Sequence, residues 1–263
     1  MKVGVIGAGV MGEALITALI SYGVNAKEIT ISEKRTDRAD ELVSRYGISV
    51  EELSNNVSAS DILLLVVKPQ DMADVLAQIS PYVKASTTVV SFAAGKKIDF
   101  ITSGLGGATP VIRVMPNTPT LVGAGMAAIS VGTGVSSTHK DFVAGFLAAT
   151  GKVVEVKEEL QDAVTATSGS GPAYFFAFVE AMIDGAMALG LSKEVATELT
   201  VQTFVGSAKL LQESGKSATT LRENVTSPNG TTAAALASFS ANDLSKLVGQ
   251  AMESARNRSI ELA

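Results

Sequence analysis

Apolar residues in the first half of the chain come in short, often β-branched runs, separated by stretches with helical spacing. Residues 2–6, 28–32, 62–67, 88–92 and 111–115 predict strands, and 126–130 and 153–156 predict later additions to the same sheet. Between the early runs, 10–22, 35–46 and 71–79 place apolar residues at helical intervals. Apolar strands alternating with helices are what a parallel sheet covered on both faces requires. After about residue 158 the strand pattern stops, and 160–167, 172–189, 193–213 and a stretch from Thr231 onward predict helices. Pro172 suits a first helical turn. The expected architecture is a mostly parallel α/β domain over 1–158 and an all-helical domain over 159–263, with no internal repeat or low-complexity linker.

The 172–189 helix carries Tyr174, Phe175, Phe176, Phe178, Val179, Met182 and Ile183 on more than one face. A helix apolar nearly all round needs burial on every side. A domain of roughly a hundred residues supplies that poorly. The pattern predicts a homodimer with interleaved helical domains; the alternative is a helix buried wholly within its own chain.

Composition narrows the chemistry. Of the 263 residues, 46% are hydrophobic and 18% charged, which allows a substantial core. A net charge of −5 speaks against a nucleic-acid partner. The absence of cysteine excludes disulfides, thiolate chemistry and cysteine metal sites. The single histidine, His139, cannot build a multi-histidine metal site; beside Ser136-Ser137-Thr138 it reads as the start of a surface helix, and no metal is expected. The first 23 residues have one lysine and an apolar run, but glycines at 4, 7, 9 and 12 and no convincing cleavage site speak against a signal peptide. The apolar run 172–191 is interrupted by Glu180 and Asp184, against a membrane span. A cytoplasmic protein is expected.

Gly7-Ala8-Gly9-Val10-Met11-Gly12 follows the first predicted strand and opens the first predicted helix. In that context the glycines allow a tight turn, close backbone approach to a pyrophosphate and close helix–strand packing, the signature of a Rossmann-type dinucleotide site. The end of the second strand, Ser32 and Glu33, lies where an acidic residue accepts ribose hydroxyls in NAD enzymes. Lys34 and Arg35 follow at once, and a basic pair there instead suits a 2′-phosphate. The cofactor is NADPH or NADH on this reading. Two further loops, Val67-Lys68-Pro69 and Ala93-Ala94-Gly95, follow strands and fall at the same ligand-binding edge.

A second anion seat lies far away in sequence. Ser227-Pro228-Asn229-Gly230-Thr231-Thr232 precedes the alanine-rich run 233–237 and reads as a loop ending at a helix N-terminus. Such an end offers unpaired N–H groups and partial positive charge to a carboxylate or phosphate. A dinucleotide site together with this seat points to a reductase acting on a small acid. The alternative role for Thr231 and Thr232 is plain helix capping.

Taken with Met115-Pro116-Asn117-Thr118-Pro119, Ser168-Gly169-Ser170-Gly171-Pro172-Ala173-Tyr174 and Val225-Thr226 ahead of Ser227, these motifs occur in one order over nearly the whole chain. The chain resembles the Δ1-pyrroline-5-carboxylate reductases. The resemblance implies reduction of L-1-pyrroline-5-carboxylate by NAD(P)H to L-proline, the last step of proline biosynthesis. It also implies a helical dimerisation domain and dimers able to assemble further. By motif it places Ser227, Gly230, Thr231 and Thr232 on the substrate carboxylate and ring nitrogen, with Thr232 as the catalytic residue. Asn224 falls near the nicotinamide ribose, and Pro116 and Asn117 join the cofactor contacts. Two departures stand out: Asn229 where the family has glycine, and 239–244 where it has a Gly-Gly-Phe-Arg-like segment. Asparagine is the non-glycine residue that best tolerates positive φ.

Two rivals remain at this stage. β-Hydroxyacid dehydrogenases place a lysine near the position of Phe175, which disfavours that class. A non-catalytic NAD(P)-binding sensor has no need of Asn224, Ser227, Gly230 and Thr232 together.

Overall fold

The computed structural model describes residues 1–262. By contacts the chain forms two compact units, Met1–Ser170 joined by the residues from Ser254 onward, and Gly171–Glu253. The first unit opens with β1 (Val3–Ile6), α1 (Val10–Tyr22), β2 (Ile29–Ser32), α2 (Thr36–Tyr46), β3 (Ser49–Val50) and α3 (Leu53–Ala59). It continues through β4 (Ile62–Leu65), α4 (Met72–Ile79), β5 (Thr88–Ser91), α5 (Ile98–Gly104) and β6 (Val111–Met115). Last come β7 (Gly125–Val131), α6 (Ser137–Ala148), β8 (Gly151–Glu155) and the short α7 (Gln161–Val164).

These strands make one sheet in the order β3-β2-β1-β4-β5-β6-β7-β8, parallel except for the β6–β7 pair. In β1, Val5 pairs with Ile31 on one side and Leu64 on the other. The side-chain period of two sorts β4 between the faces. Leu64 joins Leu15, Ile16 and Leu19 of α1 and Phe146 of α6 in one core, while Leu63 and Leu65 join Met72, Leu76 and Ile79 of α4 in the other. Each such side chain contributes about 1.5–3 kcal/mol when fully buried, so the sheet needs both helical layers.

The strand order reverses beside β1 and places the glycine turn at the switch point, where doubly wound sheets bind their ligands. The α/β expectation is met, with edges shifted by a residue or two. In this unit the elements not anticipated are β3, α3 and α5, all short and weakly periodic. The helix expected over 160–167 is α7 continued by a wider π turn, Thr165–Gly169, in which the Ser170 N–H reaches the Thr165 carbonyl at 2.8 Å. The expected division after residue 158 falls inside the first compact unit. Gln161 helps to hold the following segment there, donating to Ser130 Oγ at 2.9 Å.

The second unit is helical: α8 (Gly171–Ala188), α9 (Lys193–Glu213), α10 (Ala218–Asn224), α11 (Thr231–Ala241) and the start of α12 (Leu244–Glu261). The stretch expected from Thr231 onward is therefore two helices, parted where Asp243 takes a left-handed φ of 52°. No residue of α8 is buried, although Phe175 and Phe178 both pack on Phe204, with ring centroids 4.9 and 5.9 Å apart. Phe176, Met182, Leu199, Val205 and Leu210 stand exposed. Burial of α8 within its own chain, the alternative to a dimer, does not occur. An apolar surface of this extent marks an association face. Among the described residues no helix is long and apolar enough to cross a membrane.

Candidate functional site

The glycine turn connects β1 to α1, and its three glycines serve three purposes. Gly7 has φ +88°, and a Cβ there would lie 2.6 Å from the Val66 carbonyl oxygen. A Cβ on Gly12 would lie 2.4 Å from the Gly7 carbonyl oxygen, so α1 packs directly on its own turn. At Gly9 nothing stands within 4 Å of the Cβ position. That open side leaves room for a pyrophosphate against the backbone. No side chain caps α1 at Gly9, so the first-turn N–H groups from Val10 to Gly12 are left for an anion. A dinucleotide therefore fits the turn.

Ala8, fully buried, is gripped on both sides of its backbone. Its N–H donates to Glu33 Oε2 at 2.8 Å, and its carbonyl accepts from Arg38 Nε at 3.1 Å. The other Glu33 oxygen accepts the Arg35 N–H at 3.1 Å. Arg38 also pairs with Glu13 and, at 2.6 Å, with Glu41. Its hydrogen bond to Glu13, joined by those from Tyr46 and Arg45, holds the Glu13 carboxyl below the usual carboxylate range against the opposing effect of burial. Arg38 was not anticipated. Its signal in the sequence was the Arg35-x-x-Arg38 spacing, which puts a second guanidinium one turn further along α2.

The remaining cofactor candidates fall as follows. Arg35 pairs with Asp37, both well exposed. Ser32 is committed to structure, its hydroxyl donating to the Glu51 carbonyl and accepting from Asn56 Nδ2, each at 3.0 Å. Val67-Lys68-Pro69 follows β4 beside the glycine turn, with Val67 Cγ1 3.3 Å from the Gly7 Cβ position and Lys68 exposed. Ala93-Ala94-Gly95 follows β5 at the same edge, with Gly95 at φ +76°. After β6, Pro116 is buried and Asn117 Oδ1 accepts the Met126 N–H at 2.8 Å, so that side chain anchors β7. The structure thus brings the loops after β1, β4, β5 and β6 to one edge of one sheet.

Within the helical unit, Ser227, Pro228, Asn229 and Gly230 form a tight turn. The Gly230 N–H donates to the Ser227 carbonyl at 3.0 Å, and Asn229 takes φ 60°. Proline second and a left-handed residue third are what a type II turn needs. Asn229 therefore preserves the loop that glycine would form. A Cβ at Gly230 would crowd Ser227 Oγ, which would have to turn aside. Gly230 is the N-cap of α11, and no side chain caps that helix. Thr231 and Thr232 occupy its first two helical positions and do not cap it, which removes the capping alternative. Among the described residues, the hydroxyls of Ser227, Thr231 and Thr232 have no hydrogen-bond partner in the protein. Asn224, at the end of α10, is exposed.

His139 lies in the first turn of α6, where Ser136 caps its N–H at 3.2 Å, as the surface-helix reading requires. Its Nδ1 meets Thr88 Oγ1 at 2.7 Å, a structural tie between α6 and β5.

Comparison with known proteins bears on both units. Residues 158–262 match the family model described as pyrroline-5-carboxylate reductase dimerisation, and residues 2–95 match one described as NADP oxidoreductase, coenzyme F420-dependent. The pyrroline-5-carboxylate reductase of Pseudomonas aeruginosa is 40% identical, covering 100% of this chain and 97% of its own. That of Corynebacterium melassecola is 38% identical over 99% of this chain and 98% of its own. Among solved structures, a pyrroline-5-carboxylate reductase from Coxiella burnetii superposes with a TM-score of 0.92 at 32% identity, covering 100% of this chain and 98% of the other. Pyrroline carboxylate reductase from Plasmodium falciparum with NADP bound gives a TM-score of 0.89 at 30% identity, with the same coverage.

Proposed function

This chain belongs to the pyrroline-5-carboxylate reductase family, and from that premise we propose how its residues carry the reaction. It is an NAD(P)H-dependent oxidoreductase that reduces the C=N bond of L-1-pyrroline-5-carboxylate to give L-proline. In functional terms we assign 1–158 to the dinucleotide and 159–263 to dimerisation and substrate. The start of the matching dimerisation family model at residue 158 supports that division.

The observation that carries the substrate assignment is the uncapped start of α11 behind a rigid turn. The N–H groups of Thr231 and Thr232, with the partial positive charge of the helix end, hold the substrate carboxylate. Ser227, fixed by its own turn, adds a hydroxyl. Thr232 hydrogen-bonds the ring nitrogen, keeps the imine plane oriented and favours the protonated form, which accepts hydride more readily. A bound dinucleotide would supply the hydride to the imine carbon; the proton already on nitrogen in the iminium form stays there, giving the amine. Gly9, the first turn of α1, Val67-Lys68-Pro69 and Ala93-Ala94-Gly95 would hold the dinucleotide, with Pro116 and Asn117 supporting the same edge; by family motif Asn224 is assigned to the nicotinamide ribose.

We assign NADH as the preferred coenzyme. Glu33 sits at the end of β2 with its carboxylate fixed by the Ala8 and Arg35 N–H groups, ready to accept the ribose hydroxyls. A 2′-phosphate would meet that fixed negative charge. Arg38 is already engaged by Glu13, Glu41 and the Ala8 carbonyl, and Arg35 by Asp37.

A cytoplasmic homodimer fits the dimerisation match and the exposed α8 face. The net charge of −5 speaks against a nucleic acid as ligand. The test is to mix purified protein with pyrroline-5-carboxylate and follow oxidation of NADH and NADPH separately. Rapid oxidation, faster with NADH, is expected. No oxidation by a folded protein that still binds either coenzyme would overturn the reading and favour a sensor.

A further inference from the structure

Arg113 is a charged residue in the middle of β6 and is only 3% exposed. A guanidinium so placed persists only when paired. Its Nη1 lies 3.4 Å from Glu158 Oε1 and its Nη2 3.4 Å from Asp162 Oδ1. Neither carboxylate stops there. Glu158 Oε1 also accepts the Ile98 N–H at 2.7 Å, at the start of α5, and Asp162 Oδ1 accepts Ser259 Oγ at 2.7 Å from the last turn of α12.

That turn touches the cofactor edge directly. A Cβ on Gly95 would lie 2.7 Å from the Ser259 carbonyl oxygen and 2.8 Å from Leu262 Cβ, so the loop backbone rests against residues 259–262. Ser259 is itself 2% exposed. The segment from Gly95 to Ile98 is thus held at both ends by one chain of groups: Ser259, Asp162, Arg113 and Glu158. With two carboxylates and one guanidinium, the surplus negative charge is shared between a hydroxyl and a backbone N–H. Removing the hydroxyl leaves Asp162 short of a donor inside the protein.

We propose that Ser259 is a positioning residue for the coenzyme: through Asp162 and its own carbonyl it fixes the Ala93-Ala94-Gly95 loop in its binding conformation. The proposal rests on the assignment of that loop to the dinucleotide. The substrate carboxylate is assigned elsewhere, so the effect falls on the coenzyme alone.

The test is steady-state kinetics of the full-length enzyme with direct titration of NADH by fluorescence. Ser259→Ala should raise the KM and Kd for NADH about five- to tenfold, less than the full worth of a charge-assisted hydrogen bond because the loss reaches the coenzyme only through the loop. Both kcat and the KM for pyrroline-5-carboxylate should stay within about twofold. Ser259→Thr, which keeps the hydroxyl, should restore most of the coenzyme affinity. An unchanged NADH KM and Kd in Ser259→Ala, or a uniform loss in all parameters tracking a lower Tm, would overturn the proposal. Ala94→Asp separates the two levels of inference. If it abolishes NADH binding while Ser259→Ala does nothing, the positioning role alone fails. If it leaves NADH binding intact, the loop assignment fails and takes the proposal with it.

Discussion

The Glu33 carboxylate accepts the Ala8 N–H at 2.8 Å, joining the end of β2 to the glycine turn. One acidic side chain thereby shapes the loop and, on the proposed assignment, marks the ribose end of the coenzyme. Glu33→Ser should move the ratio of kcat/KM for NADPH over NADH upward by about tenfold or more, about 1.4 kcal/mol. Kinetics with each coenzyme check this. A variant with unchanged preference would remove Glu33 as the determinant.

Thr232 stands at the second position of α11 without a capping role. Thr232→Ala should lower kcat by about 10- to 100-fold, as loss of a hydrogen bond to the reacting group does. The Tm should move by no more than about 2 °C. Parallel losses in both would mark the residue as structural.

At Asn229 the φ of 60° carries a small steric cost. Asn229→Gly should stabilise the protein slightly or leave it unchanged, because relief of that cost is offset by a freer unfolded chain. Asn229→Val should lose about 1–2 kcal/mol in denaturant melts and raise the substrate KM, since a β-branched residue resists the left-handed region.

Phe176 is 57% exposed on α8, in the region matching the dimerisation family model. Phe176→Asp should place a charge in the interface and shift sedimentation toward the monomer. A dimer as tight as the parent's would place the interface on another face.

Glu13 is lowered from its ordinary 4.5 chiefly by the hydrogen bond from Arg38. A depressed folded value contributes stability above the ordinary one and loses it as the pH falls through the folded one. Glu13→Gln should therefore be less stable than the parent at neutral pH and show a shallower further loss below about pH 4. Melting curves across that range decide it.

Much of this was legible in the sequence because the strongest patterns are local. The glycine turn declares itself by spacing, and β4 by four consecutive apolar residues. Pro228-Asn229-Gly230 announces a turn by the conformations its residues tolerate. What could not be read was long-range. Nothing local shows that Glu33 reaches Ala8, or that Ser259 reaches Asp162. Arg113 gave a hint, since a charge inside an apolar strand must have partners, but its partners lie dozens of residues away. The break at Asp243 was hidden because aspartate takes a left-handed φ only occasionally.

The first compact unit is completed by residues made after the entire helical unit. On a ribosome, the sheet can form while the later helices are still being made, but Gly95 has nothing to rest against until residues 259–262 emerge. The nascent chain thus passes through a stage in which both sheet layers are packed and the coenzyme edge is unfinished. On the proposed assignment of the Gly95 loop, coenzyme capture has to wait for residues 259–262, which are made after the helical unit.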